Sequence, residues 1–450
     1  MRFSIYAQEL LAEGSALDMK AIEKGFRAAA LKDGDAAFHA FLSLIKPAST
    51  ECPKCGASLK KIADRKKSIV SLMGVGEFHR AYYKCPNDHG YFIPCDDIVG
   101  VSGTSFTPGV RLAVSKLASA GSFEWTSEAL AEIAEIYVSP KEAQRISEAT
   151  GEEIETKNKE RIESSMCPES PRNTSDKRIR PATRIHSTMY IEYDGTGVPM
   201  IRRELAGRSG KQSDGSSKTR EVKLGCIFTQ SGIDKNGDPV RDHNSASYVG
   251  AIEGAELFGW RLFSEASRRN IESYNRVAVI GDGAKWIWGI ANQHFPDAIQ
   301  IVDLYHAKEH LYDLVRFLFP KTTDQSDVLG DWVKTLEFGK IETLVEKIRG
   351  VGGLNDAQMS AAATEANYFA ENADRMRYEK FKSMQLFVGS GVIEAGCKTL
   401  IGRRLKQSGM FWSLRGANAI IALRCADLSC NEDWSSLFDS ARNDLFRFCA

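Results

Sequence analysis

Apolar residues follow two rhythms along this chain, and the switches between them mark its parts. Residues 1–45 carry helical periodicity at Leu10, Leu11, Ile22, Phe26, Phe38, Phe41 and Leu42. The next stretch, 46–100, instead holds strand-like runs such as SIVSLMGVGEFHRAYYK between cysteine clusters. Helical spacing returns within 101–150. There SFEWTSEALAEIAEI predicts one helix, Tyr137-Val138-Ser139 a turn, and PKEAQRISEAT a second helix with Ser139 as N-cap and Pro140 at its first position. The polar stretch 151–185, with NTSDKRIRPATR at its end, predicts a linker.

A strand–helix pattern begins at 186. STMYIEY, VKLGCIFT, RVAVI and AIQIV are strand-like, and the last two lead into the helical AKWIWGIANQHF and HAKEHLYDLVRFLF. From 321 to 388 the spacing is helical throughout, and a last helical region lies within 389–450. This order predicts a mixed α/β domain, 186–320, interrupted by an all-helical insertion, 321–388, and completed by 389–450.

At 450 residues the chain is longer than one hydrophobic core usually serves, which agrees with several modules. Its 43% hydrophobic and 26% charged residues exclude wholesale disorder. The formal net charge of +0 excludes a surface that is basic all over, but not local patches. One basic run extends from Arg202 to Lys223, and another from Lys398 to Arg424 contains no acid. No apolar run is long enough to span a bilayer, and the start, MRFSIYAQELLAEG, lacks a signal-peptide core. The expectation is a cytoplasmic protein whose ten cysteines are thiols or metal ligands rather than disulfides.

Two groups of residues carry candidate chemistry. Cys52-Pro53-Lys54-Cys55-Gly56 has the spacing of a zinc knuckle, a turn that points two thiolates at one ion. A second cluster, Cys85-Pro86-Asn87-Asp88-His89-Gly90, has Asp88 where a cysteine is expected, so His89 is the fourth ligand beside Cys52, Cys55 and Cys85, with Cys95 in reserve. Four protein ligands make the zinc structural and the segment a zinc ribbon. The second group is acidic. Asp194 and Asp282 each follow an apolar strand and precede a glycine, and Glu394 opens the last helical region. Carboxylates converging at one end of a sheet suit Mg²⁺ or Mn²⁺ and phosphoryl chemistry.

Two nucleotide motifs fail. Gly281-Asp282-Gly283 lacks the third glycine of a dinucleotide fingerprint, and in GVIEAGCKT Cys397 puts Lys398 out of register for a P-loop.

The blocks YDGTGVP (193–199), GDGAKWIW (281–288), VDLYHAKEHL (302–311) and GSGVIEAGCKTLIGRRLKQSGMFWSLRGANAI (389–420) resemble the insertion-sequence DDE transposases of the ISKra group, relatives of the Mutator-like transposases. The resemblance covers about 51–428. It implies an RNase H-like catalytic domain with Asp194, Asp282 and Glu394 as its triad, and a helical insertion between the second Asp and the Glu. It also implies a Cys-or-Asp, two residues, His signature, here Asp303 and His306, which would orient DNA or a scissile phosphate. Asp303 is also the rival to Asp282 as second ligand.

On that reading the partner is double-stranded DNA, bound by a homodimer near the nucleoid. Lys141, Gln144 and Arg145 of the helix-turn-helix-like module face the major groove. Lys398, Arg403, Arg404, Lys406, Trp412 and Arg415 lie along the DNA. The competing readings are a catalytically inactive transposase-derived DNA-binding regulator and a nuclease that hydrolyses without joining.

Overall fold

The computed structural model describes residues 18–47, 49–167, 187–210, 215, 217–320, 322–429 and 446–447. Leu10, Leu11, Lys211 and 168–185 of the expected linker lie outside them. The chain divides into two compact units, Met1–Ser147 with Glu432–Ala450, and Glu148–Asn431.

In the first unit, helix α1 (Met19–Leu44) starts at Asp18, whose side chain accepts from the Lys20 N–H. Strands β1 (Lys60–Ser71) and β2 (Gly74–Lys84) form an antiparallel hairpin, and β3 (Tyr91–Phe92) adds to its other side. Near the hairpin turn, Ile69 and Phe78 pack with Leu42, Cys95 and Val101 into a small core. Cys95 itself lies in the short helix α2 (Pro94–Ile98). Three helical segments follow: α3 (Pro108–Ala120), α4 (Phe123–Ala129) with a π turn to Ala134, and the start of α5 (Pro140–Met166).

The helix-turn-helix letters thus adopt the expected elements. Glu135, at φ 57°, takes the left-handed position that stops α4. The Ser139 hydroxyl accepts from the Glu142 N–H at 3.2 Å to start α5. Val110, Val114, Leu130, Ile136, Val138, Ala143 and Ile146 give these segments one shared core.

The second unit is built on a mixed sheet of β4 (Thr188–Pro199), β5 (Thr219–Gln230), β6 (Ser247–Ala251), β7 (Arg276–Gly281) and β8 (Ile299–Val302), in the order β8-β7-β4-β5-β6. β4, β7 and β8 run parallel, whereas β5 and β6 are antiparallel to their neighbours. Successive strand residues face opposite sides. Tyr193 therefore points to α6 (Ala255–Arg268) and α7 (Lys285–His294), donating its hydroxyl to the Ile287 carbonyl at 2.7 Å. Glu192 points the other way, to α13 (Gly391–Gly396). Helix α14 (Leu414–Leu428) packs on β6, where the Asn418 side chain accepts from the Ile252 N–H at 2.8 Å. Helix α8 (Leu304–Leu318) leaves β8 and packs with α9 (Thr322–Glu337) and α11 (Asp356–Glu371) of the insertion, while α10 (Ile341–Arg349) packs on α9 and α11, and α12 (Tyr378–Ser383) on α9.

Two features depart from the sequence reading. The expected linker is helical to Met166, because α5 continues without a break. Gly151 interrupts nothing: an added Cβ there would lie 2.0 Å from the Ala419 carbonyl oxygen, so glycine is what lets α5 and α14 meet. The acidic face of α5 is likewise structural, since Glu155 pairs with the buried Arg261 through bonds of 2.8 and 2.9 Å. The sequence reading also passed over β6 and α6, which have no chemistry-bearing motif.

Candidate active site and metal centre

Register brings the acids together. β7 runs beside β4 with Ile280 opposite Glu192, so two residues further on Asp282 stands next to Asp194. β8 continues the row: Gly281 is opposite Val302, and the Asp303 N–H donates to the Gly281 carbonyl at 2.8 Å. Asp194 does not end its strand as expected, because β4 stays paired with β5 as far as Pro199. It lies instead where β7 stops, which opens one side of β4.

The three acids differ in environment. Asp194 is half-buried; burial holds its carboxyl above the usual range, and the charges of Asp282 and Glu394 push the same way. The Cys397 thiol lies 3.7 Å from its Oδ2. Asp282 accepts from the Ala284 N–H at 2.9 Å. Glu394 is exposed on the first turn of α13, with the Lys398 ammonium 3.7 Å from Oε2.

Two further carboxyls hold the segment that carries Glu394. Asp303 is buried, and both its oxygens are occupied, Oδ1 by the His306 N–H at 2.8 Å and Oδ2 by the Ser390 N–H. These contacts give Asp303 the position of an anchor: it caps α8 and clamps the chain returning from the insertion. Glu192, which sequence reasoning missed, accepts from the Ile393 N–H at 2.9 Å, and burial pushes it up to about 8. Its one sequence signal is a charged residue in an otherwise apolar strand. His306 is half-buried on the first turn of α8.

The basic segment divides in two. Lys398, Arg403, Lys406 and Arg415 are exposed; Lys406 donates to the Thr196 hydroxyl at 2.5 Å, and Arg415 pairs with Glu152 at 2.7 Å. Arg404 and Trp412 are buried, which removes them from the expected DNA surface. The cause is a backbone bridge at the end of β4: the Trp412 N–H donates to the Pro199 carbonyl at 3.1 Å, and the Ile201 N–H to the Trp412 carbonyl at 3.0 Å. That bridge turns the indole inward, over the Arg404 guanidinium. Phe411, 64% exposed, is the outward aromatic. In the first unit, Lys141 and Arg145 are exposed and Gln144 half-buried; Arg145 pairs with Glu142 at 2.5 Å.

The ligand atoms of Cys52, Cys55, Cys85 and His89 all lie within 4.8 Å of one another. Among the described residues this is the group of three or more Cys, His, Asp or Glu side chains that closes so tightly. The Cys55 and Cys85 sulfurs are 3.7 Å apart, and His89 Nδ1 is 3.6 Å from Cys85 and 3.9 Å from Cys52. Zinc bonds of about 2.3 Å to sulfur and about 2.0 Å to nitrogen give tetrahedral edges of roughly 3.5–3.8 Å, so the four residues fit the ion.

Gly56, at φ 72°, makes the first knuckle turn. Asp88 adopts φ 53° and pairs outward with Lys84 at 2.8 Å, which carries the chain past the missing cysteine and lets His89 reach in. The Ala57 N–H, the largest influence, holds the Cys55 thiol down at about 6, towards the thiolate that a metal requires. Cys95 is no ligand here: it sits in the Leu42–Phe78 core.

The molecule thus combines a Cys₃His centre on an antiparallel ribbon with a mixed α/β unit whose acids gather on β4 beside the end of β7. The chain belongs to the uncharacterised protein family UPF0236, whose model matches residues 58–434. No curated protein matches it.

Proposed function

We propose that this chain is a DDE-type DNA transposase of an insertion sequence, of the ISKra kind, with an RNase H-like catalytic domain. The observation that carries the reading is the gathering of Asp194, Asp282 and Glu394 from two neighbouring strands and a helix that follows an all-helical insertion. UPF0236 is commonly associated with transposase-like proteins, which supports it.

The three carboxylates repel one another and would repel DNA phosphate, a cost that divalent cations offset. Their hard oxygens fit Mg²⁺ or Mn²⁺, which when bound supply a nucleophile of lowered pKa and stabilise the leaving oxygen. The chain's own part is positioning. Asp303 and Glu192 fix the backbone N–H groups of Ser390 and Ile393, which holds Glu394 where its charge acts on Asp194. Lys398, Arg403 and Lys406 line the same segment and neutralise phosphates as DNA approaches. In the first unit, the ribbon with its structural zinc and the Lys141–Arg145 helix bind the element's terminal repeats.

The test is cleavage of DNA carrying the element's flanking ends, with Mg²⁺ or with EDTA. Metal-dependent nicking at the repeat boundary is expected, with about a thousandfold loss or more in Asp282→Asn and Glu394→Gln while end binding persists. End binding without cutting at any divalent-ion concentration would favour the regulator reading. Undiminished cutting by Glu394→Gln would remove that residue from the triad.

A further inference from the structure

Helix α11 of the insertion brings side chains to the acidic site that no step above uses. Glu365 Oε2 lies 2.7 Å from His310 Nδ1, and His310 Nε2 lies 3.2 Å from His306 Nε2. His306 and His310 are four residues apart on α8 and share one face of it; Glu365 and Tyr368, three apart on α11, share the facing one. The Tyr368 ring lies flat on His310, centroids 4.2 Å apart and planes 11° from parallel. Its hydroxyl donates to the Asp282 carbonyl at 3.2 Å. Gly283 makes room for this: its φ is +97°, and an added Cβ would lie 2.8 Å from the Tyr368 ring.

The chain of bonds has a fixed sense at one end. A carboxylate only accepts, so His310 Nδ1–H donates to Glu365. With His310 neutral, its Nε2 accepts from the His306 Nε2–H; with His310 charged, it donates to His306 instead. Either way both Nε2 atoms are engaged, and His306 Nδ1 is turned outward, where its neighbour is the exposed Glu309 at 3.7 Å. The groups run in line rather than converging, which is a relay and not a metal-ligand set. Nor does packing call for them, since Ala362, Ala366 and Phe369 supply the buried apolar contacts of α11.

We propose that Glu365, His310 and Tyr368 are positioning residues of the acidic site. Glu365 and His310 set the His306 ring, and Tyr368 holds the backbone at Asp282, so the helical insertion completes the catalytic geometry. The proposal rests on the reading of this site as a phosphoryl-transfer centre.

The experiment measures kcat and KM for nicking of end-bearing DNA by the full-length protein with Mg²⁺. Partners that orient an active-site histidine are typically worth about 10–100-fold, and a loss of that size in kcat is expected for Glu365→Ala, with KM for DNA within about twofold. Glu365→Gln, whose amide oxygen still accepts from Nδ1–H, should recover most of it. The double variant Glu365→Ala/His306→Ala should be no slower than His306→Ala alone, because Glu365 acts through His306. Tyr368→Phe, which keeps the stack and loses only the hydroxyl, should lower kcat severalfold and covers the case in which Glu365→Ala does not fold. An active wild type with unchanged kcat in Glu365→Ala and Tyr368→Phe, or additive losses in the double variant, would overturn this proposal alone. A wild type that cuts no DNA would fail the functional reading and this proposal with it.

Discussion

His294 illustrates how much a single buried side chain contributes here. It ends α7, only 8% exposed, with Trp260 edge-on at 4.8 Å. Gly259 faces it so closely that a Cβ would lie 2.6 Å from Nε2. Burial lowers its pKa from the ordinary 6.5. Below that value the unfolded chain binds a proton that the folded one resists, so stability is present above 6.5 and is lost as pH falls through it. His294→Leu should therefore gain on the wild type in melting temperature between about pH 7.5 and pH 5. A difference that stays constant across that range would contradict it. Arg403 and Arg404 make a second residue-scale contrast, exposed against buried. Arg403→Ala should lower the salt dependence of DNA binding by about one phosphate contact, whereas Arg404→Met should leave it unchanged. Equal effects in a binding titration over salt would place both guanidinia at the DNA.

Among the elements, α5 and the ribbon show opposite ways in which polar sequence becomes ordered. α5 is polar because its partners are: Glu155 meets Arg261, Glu152 meets Arg415, and Gly151 lies against the α14 backbone. Gly151→Ala should cost about 1–3 kcal/mol in denaturant unfolding, since a backbone carbonyl cannot yield as a flexible side chain can. A neutral result would show that the helices part without cost. The ribbon has little apolar core at its knuckle end, where Leu59 packs with Cys52 and Cys85. Metal analysis of the purified chain should return zinc close to one per chain, and chelation should destabilise the first unit. Zinc near zero in folded protein would rule out the site.

For the whole molecule, the proposed function assigns a zinc site to the first unit and a divalent-cation site to the second. A zinc-selective chelator should impair end binding while Mg²⁺-dependent nicking of nonspecific DNA persists; Asp282→Asn should do the reverse. Loss of both functions together under either treatment would mean that the units do not act separately. No described helix is long and apolar enough to cross a membrane.

Local chemistry was readable from the sequence alone. The Cys52-x-x-Cys55 turn, the Ser139–Pro140 helix start and the strands before Asp194 and Asp282 each depend on a few consecutive residues, whose spacing fixes their geometry. The tertiary structure alone excluded Cys95, buried Arg404 and Trp412, turned Asp303 into an anchor, kept α5 helical past Gly151 and joined Glu365 to His310. In each of these cases the deciding contact joins residues far apart in the chain, such as Asp303 with Ser390 or Gly151 with Ala419. Such contacts leave no periodic trace in the sequence, because burial and hydrogen bonding act on positions in space.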